Sequence, residues 1–275
     1  MSDDASAGPT PPDGPVTPRA TAVLAPNPGP MTLDGTNTWV LAEPGAARVL
    51  VVDPGPADEA HLHRVLETAT DGGRRTVAGI LLTHRHHDHT EGAARFAELA
   101  GGAPVRGSTA ALTDRTENPL ADGRTLAVDG LEVRVLLTPG HTDDSLCLLL
   151  PADRALLSGD SVLGRGTSII AHPDGRLGDY LDTLRRLRTL AADGDVRILL
   201  PGHGPVLPRA LETVDYYLAH RAARLAQVET SVEKGNRTAA AVVADVYADV
   251  DRELWPAAEL SVRAQLDYLE EHGLV

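Results

Sequence analysis

The apolar run Val77-Ala78-Gly79-Ile80-Leu81-Leu82 stops abruptly at Thr83-His84-Arg85-His86-His87-Asp88-His89. The run has the length and apolarity of a buried strand, so the polar residues sit where a strand gives way to a loop. Their H-x-H-x-D-H pattern places three imidazoles and a carboxylate within a single turn of chain. Zinc and similar ions are bound by neutral imidazole and carboxylate, and a catalytic site keeps one position for water. A fold built around this segment must hold one strand end rigid and bring further donors to it. A solvated polar loop that happens to carry histidines is the alternative, and the rest of the chain decides between them.

Three more segments repeat the design, an apolar run that ends in Gly beside a ligand-type residue. Leu131-Glu132-Val133-Arg134-Val135-Leu136-Leu137 leads into Thr138-Pro139-Gly140-His141, Ala155-Leu156-Leu157 into Ser158-Gly159-Asp160, and Val196-Arg197-Ile198-Leu199-Leu200 into Pro201-Gly202-His203. Each delivers one candidate ligand.

With these residues in order, together with Asp53 in Leu50-Val51-Val52-Asp53-Pro54-Gly55, the chain resembles the metallo-β-lactamase-fold hydrolases. The resemblance implies an α/β (α+β) fold, a four-layer αββα sandwich with its ligand loops along one edge. It implies two divalent metal ions, zinc first among them. His84, His86 and His141 would hold one, Asp88, His89 and His203 the other, and Asp160 would bridge them. Asp53 resembles the family's carboxylate that orients a histidine; by itself it also reads as a turn-forming Asp before Pro. Two such ions lower the pKa of a shared, bridging water, so that hydroxide is available near neutral pH without a serine or cysteine nucleophile. Asp88 is the expected catalytic carboxylate, orienting that hydroxide.

A finer resemblance lies in Asn27-Pro28-Gly29-Pro30-Met31-Thr32-Leu33-Asp34-Gly35-Thr36-Asn37-Thr38-Trp39, in Gly140-His141-Thr142-Asp143-Asp144-Ser145 and in Gly159 to Thr167. These are similar to the lactamase-beta-like group, which includes an endoribonuclease and relatives of the glyoxalase II type, with a winged-helix-like module at the C-terminus. Asn37 reads either as an amide turned toward a substrate or as part of a hairpin turn. Arg165 and Thr167 follow Asp160 closely, so their loop is expected to overhang the metals, with Arg165 available to a phosphate or carboxylate. His172 and, on an amphipathic helix, His61 and His63 read as surface residues.

The organisation follows from composition. Residues 1–19 are Ser, Asp, Gly and Pro with few apolar residues, a pattern of disorder. Residues 20–208 alternate apolar runs with helical stretches and form the expected catalytic domain; residues 209–275 comprise a long helix and the module. Leucines recur on one face of 179–191, and apolar residues on one face of 209–233, as in helices packed on sheets. Helices are also expected over 57–70, 91–100, 238–248 and 257–271. The chain ends too soon after the last of these for wing strands, and that helix offers only Arg263 as a cation. A nucleic-acid-reading helix presents several, so packing, substrate enclosure or homodimer formation is the expected role.

With a formal charge of -14 over 275 residues and Lys234 as the sole lysine, the surface as a whole repels polyanions. Cys147 lies in an apolar run and reads as a core thiol. No basic-apolar leader and no run of membrane-spanning length is evident, which points to a cytoplasmic protein without a membrane partner. Metal-dependent hydrolysis is the expected chemistry. The nearest resembled group puts phosphodiester cleavage of single-stranded RNA first and hydrolysis of a small-molecule thioester or carboxylic ester second. A non-catalytic binding protein comes last, because no ligand position is lost.

Overall fold

The computed structural model describes residues 10–275. Of the tail expected to be disordered, residues 1–9 lie outside this range. Residues 14–17 are not a tail but a strand. β1 (Gly14–Thr17) pairs antiparallel with β2 (Ala20–Leu24), and Asp153 fixes the turn between them by accepting bonds from Thr17 Oγ1 and Arg19. The low apolar content of the segment reflects an edge strand, which needs only one partly buried face.

The first sheet continues through β3 (Asn37–Leu41), β4 (Arg48–Val52), β5 (Thr76–Leu81) and β6 (Val105–Arg106), in sequence order across the sheet. Pairing is antiparallel as far as β4, then parallel from β4 to β6. Parallel neighbours need a crossover. Here α1 (Glu59–Thr70) and, after the short α2 (His87–Thr90), α3 (Ala93–Leu99) provide it. The second sheet holds β7 (Thr125–Val128), β8 (Leu131–Leu137), β9 (Leu146–Leu150), β10 (Ala155–Gly159) and β11 (Ile198–Pro201), in the order β11-β10-β9-β8-β7. Only β10 and β11 are parallel, joined across α4 (Leu177–Ala192).

Three apolar cores separate four layers. Trp39, Leu41 and Val52 meet Leu131, Leu148 and Leu200 between the sheets. Leu62, Val65 and Phe96 cover the outer face of the first sheet, and Leu184, Leu187, Val214 and Tyr217 that of the second. β4, β9 and β10 are buried on both faces, so their sequences are nearly continuous apolar runs, whereas β8 alternates buried with exposed residues over its first half. The expected αββα sandwich is therefore present.

α5 (Ala210–Glu233) is longer than the layer it covers. Its first half packs on the second sheet, and Val228 and Val232 in its second half join Val242, Val243, Val262 and Leu269 of α6 (Ala239–Val246) and α7 (Trp255–Glu271) in a fourth core. The boundary expected at residue 209 thus falls at the start of a helix shared by both parts. No strand occurs beyond α5 among the described residues, so the part of the module they cover is helical.

His61, expected on a helix surface, is buried at 1% exposure while His63 is exposed. The helical spacing was right, but α1 lies against the β3–β4 edge, where His61 Nε2 lies 3.1 Å from Thr38 Oγ1. Thr38 Oγ1 donates in turn to the Asp53 carbonyl. Burial pushes the His61 pKa down to about 4.

Candidate metal centre

The parallel pair β4–β5 ends with Asp53 beside Thr83. Asp53 adopts a positive φ of 49°, uncommon for a residue with a side chain, and this turns its carboxylate back along the sheet. Oδ1 accepts from the Thr83 amide at 2.8 Å, and Oδ2 accepts from Thr83 Oγ1 at 2.7 Å. The chain then enters α2, a single turn that brings His89 Nδ1 to 2.8 Å from Asp53 Oδ2. Asp53 therefore ties two strand ends together and orients one imidazole, and its side chain is engaged well beyond what a turn before Pro requires.

The remaining donors come from the second sheet. β8 runs into Gly140 and His141, β10 into Asp160, and β11 into Gly202 and His203, all at the same edge. Gly140 has φ +136°, and a Cβ there would lie 2.3 Å from the Tyr180 Cα. A Cβ on Gly202 would lie 2.5 Å from Asp160 Oδ1 and 2.8 Å from His89 Cε1. The glycine next to each ligand is thus set by close approach, which the repeated apolar-run-plus-Gly pattern reflects.

The second nitrogen of each buried imidazole is committed. His84 Nδ1 is 3.0 Å from Thr83 Oγ1, whose own proton goes to Asp53; His141 Nδ1 is 2.8 Å from the Ile169 carbonyl; His203 Nδ1 is 3.1 Å from the Gly35 carbonyl. These acceptors assign the proton to Nδ1 and leave Nε2 free as a donor to metal. His86 is reversed. Its Nδ1 points inward, 3.0 Å from His84 Nε2 and 3.1 Å from His141 Nε2, while Nε2 lies toward Asp174. Three lone pairs thus converge with no proton between His84 and His141, an arrangement a cation relieves.

Asp88, His89 and His203 form a second group, with His203 Nε2 3.0 Å from Asp88 Oδ2 and 3.2 Å from His89 Nε2. Asp160 lies between the groups, 3.4 Å from both His89 Nε2 and His203 Nε2 and 3.8 Å from His141 Nε2. Its buried Oδ1 has no hydrogen-bond partner among the described residues. Donor atoms of His84, His86, His141 and Asp160 all lie within 4.8 Å of one another, as do those of Asp88, His89 and His203. The donor set fits two divalent ions.

The electrostatics agree with that fit. Burial, then cationic His89, lowers the His84 pKa well below its ordinary value; burial, then His141, takes that of His86 down to about 4. Burial would lower His203 too, but Asp160 and Asp88 overcome it and push its pKa up to about 9. His89 is raised in the same way by Asp160 and Asp53. Burial would raise Asp160, yet the same histidines hold it well below the carboxylate range. Where a cation belongs, His89 and His203 carry protons in its stead, kept there by the ionised carboxylates.

The residues expected at the substrate are differently employed. Asn37 is fully buried; its Nδ2 donates to the Pro201 and Gly204 carbonyls and its amide to Gly202, so it clamps the loop that carries His203. Neither the turn nor the substrate role foresaw this, because the partners are 164 and 167 residues away. Arg165 is exposed but paired with Asp34 at 2.5 and 3.0 Å. Thr167 lies on the loop over the site, lining a cavity with Met31 and Arg221. His172 pairs with Asp267 of α7 at 2.7 Å, away from the donors.

Two residues escaped the sequence. Ser168 Oγ donates to the Asp160 carbonyl and lies 3.2 Å from His141 Nδ1, and buried Arg221 donates to the Ser168 carbonyl. Neither sits in a motif, and only the packing of α5 against this loop brings them to the ligands.

Comparison with known proteins matches residues 31–203 to the metallo-beta-lactamase superfamily and residues 238–275 to the beta-lactamase associated winged helix domain. The Beta-lactamase-like protein 2 homolog of Drosophila melanogaster is 34% identical over 270 residues, covering 91% of this chain and 87% of that protein. An atrochrysone carboxyl ACP thioesterase of Aspergillus fumigatus is 32% identical over 225 residues, with 81% of this chain and 67% of that protein covered. A beta-lactamase domain protein from Burkholderia ambifaria superposes with TM-score 0.80 at 23% identity, over 98% of this chain and 91% of that one. No helix of the described residues is long and apolar enough to cross a membrane. The aligned donor edge, the four layers and these matches lead to one conclusion: the chain belongs to the metallo-beta-lactamase superfamily of hydrolases and carries a beta-lactamase-associated winged helix domain at its C-terminal end.

Proposed function

We propose that this protein is a dinuclear metal hydrolase acting on a carboxylic thioester or ester. The observation that carries the choice is the state of the two exposed arginines at the rim of the donors, where a nucleic-acid backbone would run. Arg165 is engaged by Asp34, and Arg85, between two of the ligands, by Asp143 and Asp174. A phosphodiester needs unpaired cations to hold its charge, whereas an acyl carbonyl does not. The relative named as an acyl-carrier-protein thioesterase supports the same direction. The order of the two hydrolytic readings is thus the reverse of that expected from sequence, which could not see the pairing.

His84, His86 and His141 would hold one ion, Asp88, His89 and His203 the other, with Asp160 between them; zinc is the first candidate, though imidazole and carboxylate also accept manganese and iron. Divalent ions there supply Lewis acidity and lower the pKa of water toward neutrality. Asp53, Thr83, Ile169 and Gly35 keep His89, His84, His141 and His203, respectively, in the binding tautomer through the bonds described above. Asp88 is partly exposed, unlike the buried His89 and His203, so its carboxylate can meet an incoming water, orient it and take its proton. The apolar second sheet behind the ligands keeps bulk water from their rear.

The test assays zinc-loaded protein and Asp88→Ala on an acyl thioester panel and on single-stranded RNA, with metal content measured alongside. Thioester turnover is expected, at about two ions per chain, with kcat lowered roughly 10²- to 10⁴-fold in Asp88→Ala. RNA cleavage by the wild type that disappears in Asp88→Ala, without thioester turnover, would install an endoribonuclease in its place.

A further inference from the structure

Between the loop over the metal ligands, α5 and the C-terminal helices lies a cavity of about 230 Å³. Its far wall is apolar, formed by Tyr247, Val250, Leu254 and Ala258; Met31 and Leu254, which also line it, are exposed, so its apolar surface reaches solvent. Its near wall is Thr167-Ser168-Ile169, whose other bonds hold His141 and the Asp160 backbone. Cavities of roughly 150 Å³ hold a benzene ring, so this one has room for a larger aryl group.

The polar groups are all of one sign. Arg221 and Arg224, one turn apart on α5, line the cavity, and no carboxylate does among the described residues. Arg221 donates to the Ser168 carbonyl and lies by the Tyr180 ring, while Arg224 donates to the Val246 carbonyl and lies over Tyr247. Arg221 is only 7% exposed, and its Nε has no acceptor among the described residues; Nδ1 of His220, also at the cavity, is buried and likewise without a partner among them. A buried guanidinium with neither counter-ion nor full hydrogen bonding is costly. An anionic oxygen entering the cavity offsets that cost.

We propose that the cavity is the acyl subsite, taking an aryl-sized apolar acyl group that bears a carboxylate, with Arg221, Arg224 and His220 at the carboxylate and the C-terminal helices around the ring. The occupant's identity as an acyl group rests on the thioester reading; the cavity's affinity for an aryl carboxylate does not. The winged-helix module thereby serves as the specificity wall of the enzyme.

The test uses the full metal-loaded chain. By titration calorimetry, naphthalene-2-carboxylate binds, and the neutral naphthalene-2-carboxamide binds about tenfold more weakly, the value of one charged hydrogen bond. Arg224→Gln removes most of that difference, and Ala258→Phe, which fills the cavity, weakens both ligands roughly tenfold. Should Ala258→Phe fail to fold, Arg224→Gln decides alone. Ala258→Phe also raises KM for a carboxynaphthoyl thioester by more than it raises KM for the acetyl thioester. No binding by the wild type, or binding equal in both variants, overturns the subsite. Intact, variant-sensitive binding without turnover of any thioester would instead keep the subsite and remove the hydrolase substrate, so the two failures are distinguishable.

Discussion

Asp53 shows how much one side chain carries here. Its carboxylate satisfies a backbone amide, a hydroxyl and an imidazole at once, so Asp53→Asn, which tolerates the same left-handed backbone, keeps the shape and loses the charge that orients His89. The expected outcome is a loss of metal affinity of roughly 10- to 100-fold, read by competition with a chromophoric chelator. His61 is a second case. Its pKa is depressed to about 4, so the folded state prefers the neutral ring: the stability it contributes is present above its unfolded pKa, about 6.5, and is lost as pH falls through 4. Up to roughly 3 kcal/mol follows, and urea midpoints of the wild type should fall further between pH 7 and pH 4 than those of His61→Gln. The position of His61 on α1 was legible from spacing, but its burial was not, since a helix face is defined only by what it meets.

The elements that place the ligands are strand ends, and their glycines separate two kinds of damage. In Gly140→Ala the new methyl meets the backbone of α4, a collision with no flexible side chain to yield, at a positive φ that L-residues resist. A loss of several kcal/mol is expected on the scale of overpacking and backbone strain. In Gly202→Ala the methyl meets the Asp160 carboxylate and the His89 ring instead. Here thermal unfolding of metal-free protein should change less than metal retention does; a Gly202→Ala protein that binds zinc normally would contradict this placement. The run 146–150 was legible as a strand because burial on both faces leaves no polar residues in it, and 131–137 because its first half alternates buried apolar residues with exposed Glu132 and Arg134. β1 was not, because an edge strand of four residues carries too little apolar signal to stand out.

At the scale of the molecule, two sheets hold opposite halves of one site, so folding and metal binding are linked. The metal-free protein holds protons on His203, with a pKa near 9, and on His89. Because these pKa values are raised, the protons are present at pH 8 and must leave when an ion takes the imidazole. Zinc added to metal-free protein in weak buffer at pH 8 should release about two protons per chain, and apparent affinity should fall as pH is lowered. Zinc at about 100 times its dissociation constant should add roughly 2.7 kcal/mol of stability, seen as a rise in Tm that EDTA reverses. The formal charge of -14 is spread so that the exposed Arg85 and Arg165 at the rim of the site are paired with carboxylates, which turns a net property of the chain into a local one.

The identity and order of the donors were determined by the sequence alone: H-x-H-x-D-H and the three later strand ends are local patterns, and their chemistry follows from residue type. The αββα layers were legible for the same reason, since central strands and amphipathic helices write their burial into their own periodicity. Only the tertiary structure decided what the surrounding residues do. Asn37 clamps the His203 loop, Asp34 occupies Arg165, and Arg221 reaches Ser168 from a helix more than fifty residues on. Such pairings join distant segments across packed layers, and no spacing along the chain records them.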